Sequence, residues 1–300
     1  MDLEKKAIER IKIASEMSLH HYGQPLVCTY SGGKDSDVML ELFKRSSVPF
    51  EVCNSHTTAD APQTVYHIRE TFRELELQGV KCDIDYHMQP NGKRVTMWNL
   101  IPVKLMPPTR RVRYCCQVLK EGGGRNRYIA TGVRWDESYQ RSGRAEFEKI
   151  GKTKANKEKF EAEKILMGDN SSVRRMTELC MQKQSMTVNP IIDWKHHDIW
   201  EYINTEHINV NPLYVQNGYE RVGCIGCPMA SKKRYKEFSD FPEYKKMYIR
   251  AFERMLQVRR GRGLKCEWKS GEEVFLWWME DKNIDGQMNL EDYPGIMPEN

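Results

Sequence analysis

The chain has no long apolar run, and this absence excludes a helix of the roughly twenty apolar residues that cross a bilayer. Its first residues, MDLEKKAIERIKIASEM, are charged and have helical spacing, so we expect no secretory signal there. No internal repeat or low-complexity tract is evident. We therefore expect a cytoplasmic protein with no membrane partner.

The chain also lacks the even cysteine count of a closed disulfide framework, because it has nine cysteines. Four of them stand out by spacing: Cys115 and Cys116 are adjacent, and Cys224 and Cys227 form a C-x-x-C motif. Four thiolates hold either Zn²⁺ or an iron–sulfur cluster. Two neighbouring thiols strain the backbone on one small Zn²⁺, whereas a cubane offers them separate irons, so the spacing favours a [4Fe–4S] cluster. Zinc and unmetallated thiols are the alternatives.

A large excess of either charge is absent too. There are 47 Lys and Arg against 42 Asp and Glu, a formal net charge of +5. This balance is compatible with an anionic ligand and does not by itself establish nucleic-acid binding. Two basic runs, one at 232–234 and RRGRGLK at 259–265, would suit a nucleic-acid backbone. Such runs are more often solvated surface.

Strand-like and helix-like segments alternate through the first half of the sequence. Strands are expected near 26–30, 49–56, 81–87 and 127–133, with helices over 4–18, 36–44 and about 65–75. This alternation predicts an α/β fold with a doubly wound, mostly parallel sheet. A charged stretch at about 141–185 predicts a helical insertion or a pair of surface helices. Two further helices, at 243–260 and 272–281, predict a helical C-terminal region.

The stretch SGGKDS, Ser31 to Ser36, lies between the first predicted strand and the following helix. Backbone N–H groups and the positive end of a helix dipole meet an anion at such a junction. Gly32 and Gly33 permit a tight turn, and Lys34 adds a positive charge. Asp35 would either bind a Mg²⁺ ion that bridges to phosphates or cap the helix. The spacing matches neither the Walker loop nor G-x-G-x-x-G.

This loop resembles the PP-loop, S-G-G-x-D-S, of the ATP pyrophosphatases. The resemblance implies an ATP site in which Ser31, Gly32, Gly33, Lys34, Asp35 and Ser36 hold the pyrophosphate end, with Mg²⁺. Those enzymes split ATP between its α and β phosphates and leave an adenylate on the substrate.

Further stretches resemble the PAPS reductase family, of the Rossmann-like PP-loop type. TGVRWDESYQR places Arg134, Ser138 and Arg141 where that family contacts nucleotide, sulfate or phosphate. NPIIDWKHHDIWEYI and NPLYVQNGYERVGCIGCP match two other family segments. The resemblance covers about residues 25–230, so we expect a PP-loop domain over 1–230 and a helical region over 231–300.

Different features of the sequence resemble different members of this family. The cysteine set is similar to the cluster ligands of adenylylsulfate reductases, but those enzymes carry a degraded glycine loop and a C-terminal E-C-G-[LI]-H segment. This chain has an intact loop and ends YPGIMPEN. Its features are closer to the sulfur-transfer enzymes of DNA phosphorothioation and to the thiolases of transfer RNA. Lys34, Asp35, Arg134 and Arg141 are then the expected catalytic residues.

The expected function is therefore the ATP-dependent adenylation of a substrate in iron–sulfur-dependent sulfur transfer. The alternatives are an adenylyl sulfate or phosphoadenylyl sulfate reductase that releases sulfite, and a non-catalytic nucleotide- or redox-sensing regulator or complex subunit. Partners implied by the resemblance are an adenine nucleotide, a nucleic-acid substrate, and a cysteine desulfurase or other donor of sulfur or electrons.

Two weaker signals remain. The loop NSHTTADAP follows the second strand at the carboxyl-end crevice of the predicted sheet. This position suggests adenosine or metal contacts from Asn54, His56, Thr57, Thr58 and Asp60, with Thr57 taken as the nucleotide contact. Ordinary loop hydrogen bonding is an equal alternative there. His196 and His197 are expected in the first turn of a helix, where a metal role is the less favoured interpretation.

Overall fold

The computed structural model of the protein describes residues 2–120, 127–149 and 186–280. The chain divides into two compact units. Unit 1 comprises residues 1–55, 62–85 and 123–222, and unit 2 comprises residues 56–61, 86–122 and 223–300. Most of the predicted insertion, from residue 150 to 185, lies outside the described residues. The boundary near residue 230 stays a prediction about the sequence domain, since these units are built from interleaved segments.

The helices of the described residues are numbered in chain order. They are α1 Leu3–Tyr22, α2 Lys34–Ser46, α3 Pro62–Leu77, α4 Met97–Lys104, α5 Tyr114–Leu119, α6 Tyr139–Ser142, α7 His196–Thr205, α8 Pro212–Gln216, α9 Lys233–Asp240, α10 Pro242–Gly261 and α11 Gly271–Glu280. Short 3₁₀ turns cover Trp135–Glu137 and Pro228–Ala230. The predicted start of a helix at His196 is confirmed.

Unit 1 is built on a six-stranded sheet. Its strands are β1 Leu26–Thr29, β2 Phe50–Ser55, β3 Cys82–Asp85, β4 Tyr128–Ala130, β5 Phe147–Lys149 and β6 Met186–Val188. Their order is β3-β2-β1-β4-β6-β5, and every pair is parallel except β5 with β6. The predicted α/β class and mostly parallel sheet are confirmed. The antiparallel edge strand β5 falls at the start of the stretch predicted as a helical insertion.

The core of unit 1 follows from apolar residues at helical spacing. In α1, Ala7, Ile11 and Ala14 recur every three or four residues and are fully buried. They belong to one cluster with the strand residues Leu26 and Cys28. Each large aliphatic side chain buried in this way contributes about 1.5–3 kcal/mol. This packing holds the carboxyl ends of the strands, where loops carry the functional groups.

Unit 2 is helical in its C-terminal part, as predicted, and has an aromatic core. The rings of Tyr248 and Trp278 lie 4.7 Å apart, and those of Phe238 and Phe275 lie 5.1 Å apart. Trp98 of α4 meets Tyr248 edge-on at 5.0 Å. Ring pairs of this kind add to the area they bury, and they tie α4, α9, α10 and α11 together.

Two residues of the predicted basic runs are part of this interior. Arg234 is fully buried and donates to the carbonyl oxygens of Trp278 (2.9 Å) and Met279 (3.3 Å), at the end of α11. Arg259 is buried and donates to the carbonyl of Leu105 at 2.9 Å. The interpretation of these two arginines as surface charge was therefore wrong. The sequence could not separate them from their exposed neighbours, since burial of an arginine depends on carbonyl oxygens brought in from elsewhere.

Within the described ranges, no helix is both long enough and apolar enough to cross a membrane.

Candidate functional site: a glycine loop and a cysteine centre

The glycine loop of unit 1 lies at a topological switch point of the sheet. It follows β1, whose two neighbours are β2 on one side and β4 on the other. In open α/β sheets, ligands bind outside the carboxyl ends of the strands where the strand order reverses in this way. The loop leads directly into α2, a thirteen-residue helix. Its backbone N–H groups therefore stand at the positive end of the helix dipole.

Gly32 is at a position that only glycine fits. Its φ is +69°, in the left-handed region, and a Cβ there would lie 2.8 Å from Cγ1 of Ile68 and 3.3 Å from Cγ2 of Thr64. Steric contact and backbone conformation both exclude other residues. The bare backbone of the loop is thus held against α3.

Ser36 organises the turn from the first turn of α2. Its hydroxyl donates to the carbonyl of Gly33 at 2.7 Å and accepts from the Gly33 N–H at 3.1 Å. It also accepts from the Ser31 N–H at 3.3 Å. Gly33 is the N-cap of α2, so the alternative in which Asp35 caps this helix is wrong.

The carboxylate of Asp35 lies between two positive charges instead. Arg134 Nε donates to Asp35 Oδ1 at 2.7 Å, and Lys34 Nζ lies 3.2 Å from Asp35 Oδ2. Both basic side chains are buried, at 5% exposure for Lys34 and 3% for Arg134. The loop after β4 also approaches the start of α2, because a Cβ built on Gly132 would lie 3.4 Å from the carbonyl oxygen of Asp35. Three of the four predicted catalytic residues thus meet.

The other predicted residues of the TGVRWDESYQR stretch lie further along it. Arg141 forms an i,i+4 ion pair with Glu137. Ser138 is exposed and precedes α6. Their contact with the α-phosphate side stays a prediction.

Two loop contacts come from residues that the sequence analysis did not single out. Asn211 is fully buried and donates to the carbonyl of Gly32 at 2.9 Å and to Thr64 Oγ1 at 3.0 Å. The backbone N–H of Lys34 donates to Tyr214 Oη at 3.1 Å. Both residues lie in the NPLY segment at the start of the stretch NPLYVQNGYERVGCIGCP. The family resemblance of that stretch is the sequence signal that could have identified them.

A buried polar group beneath the loop was also missed. Tyr30 donates to Asp37 Oδ1 at 2.6 Å, and His67 Nε2 lies 3.0 Å from the same oxygen. Burial first, and then the charge of Asp37, raise the pKa of Tyr30 well above its ordinary value. Asp37 Oδ2 is buried without a hydrogen-bond partner among the described residues. An aspartate among the apolar residues of α2 is the signal that could have revealed this group.

The four motif cysteines all belong to unit 2. Cys115 and Cys116 lie in α5, and Cys224 pairs with Asp60 in an antiparallel bridge. The turn to the second motif cysteine is closed by a hydrogen bond from the Cys227 N–H to the Cys224 carbonyl at 3.2 Å. All eight cysteines of the described ranges are free thiols. The two pairs, far apart in sequence, lie in one region, because Cys224 and Cys227 are near enough to Cys115 to influence its ionisation.

The thiols of this centre influence one another. A hydrogen bond from Cys115 and the guanidinium of Arg113, whose Nη2 lies 3.2 Å from the sulfur, lower the pKa of Cys116 to about 5. Burial raises the pKa of Cys224 to about 12. Cys115 has a raised pKa because it donates to Cys116 and is partly buried. The charges of Cys224 and Cys227 act in the same direction on Cys115.

Thr57 and Lys120 complete the surroundings of the cysteines. Thr57 Oγ1 accepts from the Cys224 thiol at 3.4 Å and donates to Asp60 Oδ2 at 2.6 Å. The structure therefore places the predicted nucleotide contact Thr57 in unit 2, next to a cysteine. Lys120 was missed by the sequence analysis. Its pKa is raised chiefly by the negative charge of Cys224 and further by those of Asp60 and Cys116.

Gly226, inside the C-x-x-C motif, has a structural role. Its φ is +73°, and a Cβ would lie 2.5 Å from Phe238 Cζ and 3.0 Å from the rings of Trp278 and Tyr248. Its N–H donates to Glu237 Oε2 at 2.7 Å. The motif is therefore seated directly on the aromatic core of unit 2.

In number and chemistry the four thiols fit an iron–sulfur cluster, since four cysteine sulfurs are available and the guanidinium of Arg113 beside Cys116 favours its thiolate. The fit is one of number and chemistry and not of position, because over the described ranges no group of three or more His, Cys, Asp or Glu side chains is placed so that it could hold a metal ion.

Comparison with known proteins adds to this geometry. A sulfate adenylyltransferase subunit 2 from Rhodopseudomonas palustris is 26% identical over 231 residues, which cover 71% of this chain and 61% of the relative. The chain spans about half to two thirds of the length of the curated relatives that it matches over most of its own length.

Two solved structures are similar at low identity. A PAPS reductase from Candida auris, as a phosphate complex, is 16% identical with a TM-score of 0.43, and the match covers 70% of this chain and 87% of that one. The U34-tRNA thiolase NcsA from Methanococcus maripaludis, with its [4Fe–4S] cluster, is 16% identical with a TM-score of 0.40, over 87% and 83% of the two chains.

The family model of the phosphoadenosine phosphosulfate reductase domain matches residues 25–230, more than half of the chain. This range includes the glycine loop, Arg134 and all four motif cysteines. The chain belongs to the PAPS reductase family.

Proposed function

We propose that this protein binds ATP in the glycine loop of unit 1 and transfers AMP to an oxygen of its substrate, in a pathway of sulfur transfer that depends on the cysteines of unit 2. The observation that carries this proposal is the intact loop. Gly32 leaves a bare backbone at the start of α2, with two buried cations beside it. A loop built to release pyrophosphate needs these features, whereas a site for a preformed adenylyl sulfate does not.

Two cations beside the loop, Lys34 and Arg134, would both act on the triphosphate. Lys34 and Arg134 share the carboxylate of Asp35. With ATP and Mg²⁺ bound, Asp35 would turn to the metal, and the two cations would contact the phosphates. Preorganised charges of this kind stabilise the charge that develops in the transition state.

In the proposed step, a substrate oxygen forms a bond to the α-phosphorus while the bond from that phosphorus to the oxygen bridging the α and β phosphates breaks. Any proton on that oxygen passes to solvent. Pyrophosphate leaves into the loop, where the N–H groups of α2 face it. A sulfide-level sulfur nucleophile from a donor protein would then bond to the activated atom of the substrate while the bond from that atom to the AMP-bearing oxygen breaks, and AMP leaves with that oxygen.

Cys115, Cys116, Cys224 and Cys227 would hold a [4Fe–4S] cluster, with zinc as the alternative. A cubane binds each thiolate through a separate iron. It therefore requires the four cysteines to lie in one region, but it does not require their sulfurs to converge on a single ion. When bound, the cluster would position or tune the sulfur donor. Arg113 and Lys120 would offset its negative charge.

Pyrophosphate release by anaerobically purified protein tests the proposal. We expect release from ATP in the presence of a nucleic-acid substrate, and its loss in Lys34→Ala. Sulfite release from adenylyl sulfate with no use of ATP would instead establish the reductase. Tight ATP binding without pyrophosphate under any condition would establish a non-catalytic regulator.

Iron and sulfide analysis tests the cysteine centre separately. Cys227→Ser should lose the iron, whereas Cys266→Ser, in the same unit but outside the two motifs, should keep it. Iron retained in Cys227→Ser would contradict the ligand assignment, and zinc in place of iron would establish the alternative.

A further inference from the structure

The two units carry opposite charge. The described residues of unit 2 contain 20 Lys and Arg against 9 Asp and Glu, a formal net charge of +11. Those of unit 1 contain 17 Lys and Arg against 22 Asp and Glu, a net charge of −5. Counting all residues of each unit by sequence gives +6 and −1. The small net charge of the whole chain is therefore the sum of a strongly basic unit and a weakly acidic one. Such an asymmetry of charge within one chain indicates a polyanionic partner.

A first group of these charges surrounds the cysteine centre. Arg110, Arg111 and Arg113 precede the adjacent cysteines, and Lys232 and Lys233 follow the C-x-x-C motif; we call these five residues the basic collar. All five are exposed. Arg110 joins the two segments, because its Nε donates to the carbonyl of Pro228 at 3.2 Å and its guanidinium also bonds Ser231.

A second group forms a line on α10. Lys246, Arg250 and Arg254 are exposed and spaced four residues apart, which places them along one face of the helix. At about 1.5 Å rise per residue, successive charges stand about 6 Å apart. We call these three residues the α10 stripe.

We propose that unit 2 binds the phosphodiester backbone of a nucleic acid through the basic collar and the α10 stripe. A nucleotide or sulfate ester needs only a few cations, whereas these charges extend over about 12 Å of α10 as well as around the cysteines. Tyr235 is 56% exposed between collar residues and Lys236 and offers a surface on which a base can stack. No large apolar side chain of α10 itself is exposed, unlike in a helix that inserts into a membrane surface.

This proposal is independent of the proposed adenylation, since it rests on charges outside the glycine loop. It would, however, give that reaction its substrate class. Nucleic-acid binding should therefore persist in Lys34→Ala without ATP, so that failure of catalysis and failure of binding are separate outcomes.

The test is a fluorescence anisotropy titration with labelled single-stranded DNA, duplex DNA and transfer RNA, at several salt concentrations. Three variants each reverse three charges. The collar variant is Arg111→Glu with Lys232→Glu and Lys233→Glu, and the stripe variant is Lys246→Glu with Arg250→Glu and Arg254→Glu. The control variant, Lys5→Glu with Lys12→Glu and Lys195→Glu, changes exposed lysines of unit 1.

We expect the wild type to bind at least one of the three probes, and the collar and stripe variants to bind it at least tenfold more weakly. The slope of log affinity against log salt should become shallower by about 2 to 3 in each, because every lost phosphate contact removes about 0.7–0.9. The control variant should stay within threefold of the wild type. Far-UV circular dichroism checks that the variants are folded.

Three results would overturn the proposal. One is the absence of binding to all three nucleic acids at low salt. Another is an equal loss in the control variant, which would mean that net charge alone is responsible. The third is equal or tighter binding of polyglutamate or of anionic phosphatidylserine vesicles at the same salt, which would indicate an acidic protein or a membrane. The three probes themselves distinguish RNA from DNA.

Discussion

The glycine loop and the cysteine centre are assembled in opposite ways. The loop is six consecutive residues between a strand and a helix, so that its backbone geometry is largely local. The centre takes two cysteines from α5 and two from a turn more than a hundred residues later, seated on an aromatic core. A local site fails when its own backbone is changed, whereas an assembled site also fails when the packing beneath it is changed.

The largest effect is expected at the loop. Gly32→Ala places a Cβ 2.8 Å from Ile68 in a left-handed conformation. Strain of about 1–2 kcal/mol for the backbone and about 1–3 kcal/mol for overpacking should weaken ATP binding by two to three orders of magnitude. Calorimetric titration with ATP measures this loss. Gly23→Ala is the matched control, because Gly23 also has a positive φ (+63°) but no atom within 4 Å of its Cβ position. Equal ATP binding by both variants would refute the described loop.

A somewhat smaller effect is expected from the charge beside the loop. Arg134→Ala removes one of the two cations on Asp35 and should lower the rate of pyrophosphate release by about 10²–10³-fold, the range seen when one preorganised donor is lost. ATP binding should fall much less. Steady-state kinetics separates the two. An effect on KM alone would show that Arg134 serves binding only.

Arg134 and the glycine loop were predictable from the sequence because each lies in a short, contiguous motif. The contacts of Asn211 and Tyr214 with the loop were not, since they depend on how α8 packs against α3. Thr57 was assigned to a nucleotide because it follows a strand at the expected crevice. The structure places it in unit 2 beside Cys224, and its contact with a nucleotide stays a prediction. The first four strands and the long helices were predicted, since burial in the sheet core imposes a regular pattern, whereas the short strands β5 and β6 were not.

The assembled centre should be sensitive to its support. Gly226→Ala would bring a Cβ within 2.5 Å of Phe238, and we expect unit 2 to lose about 2–4 kcal/mol of stability, with loss of iron after reconstitution. Thermal unfolding and iron analysis measure this. Gly263→Ala, at a positive φ of +66° with open space around it, should keep its iron. Full iron content in Gly226→Ala would contradict the described packing.

The smallest effect concerns unit 1 alone. Arg10, which is buried, donates to Asp193 Oδ1 at 2.7 Å. Although burial opposes the shift, this hydrogen bond and the charge of Arg10 hold the pKa of Asp193 below its usual value. A lowered pKa stabilises the fold above the unfolded pKa of about 3.9, and that contribution is lost as pH falls through the folded pKa. Asp193→Asn should therefore cost about 1–3 kcal/mol at pH 7 and progressively less toward pH 3 in chemical denaturation. A difference that grows on acidification would contradict this sign.

The most direct test of the proposed reaction is the identity of the nucleotide products. Holoprotein, ATP, Mg²⁺ and the nucleic acid selected by the binding assay are followed by ³¹P NMR. Cleavage between the α and β phosphates predicts AMP, free or on the substrate, and pyrophosphate in equal amounts, with neither formed by Gly32→Ala. ADP with inorganic phosphate, or unchanged ATP in the presence of bound substrate, would contradict the account.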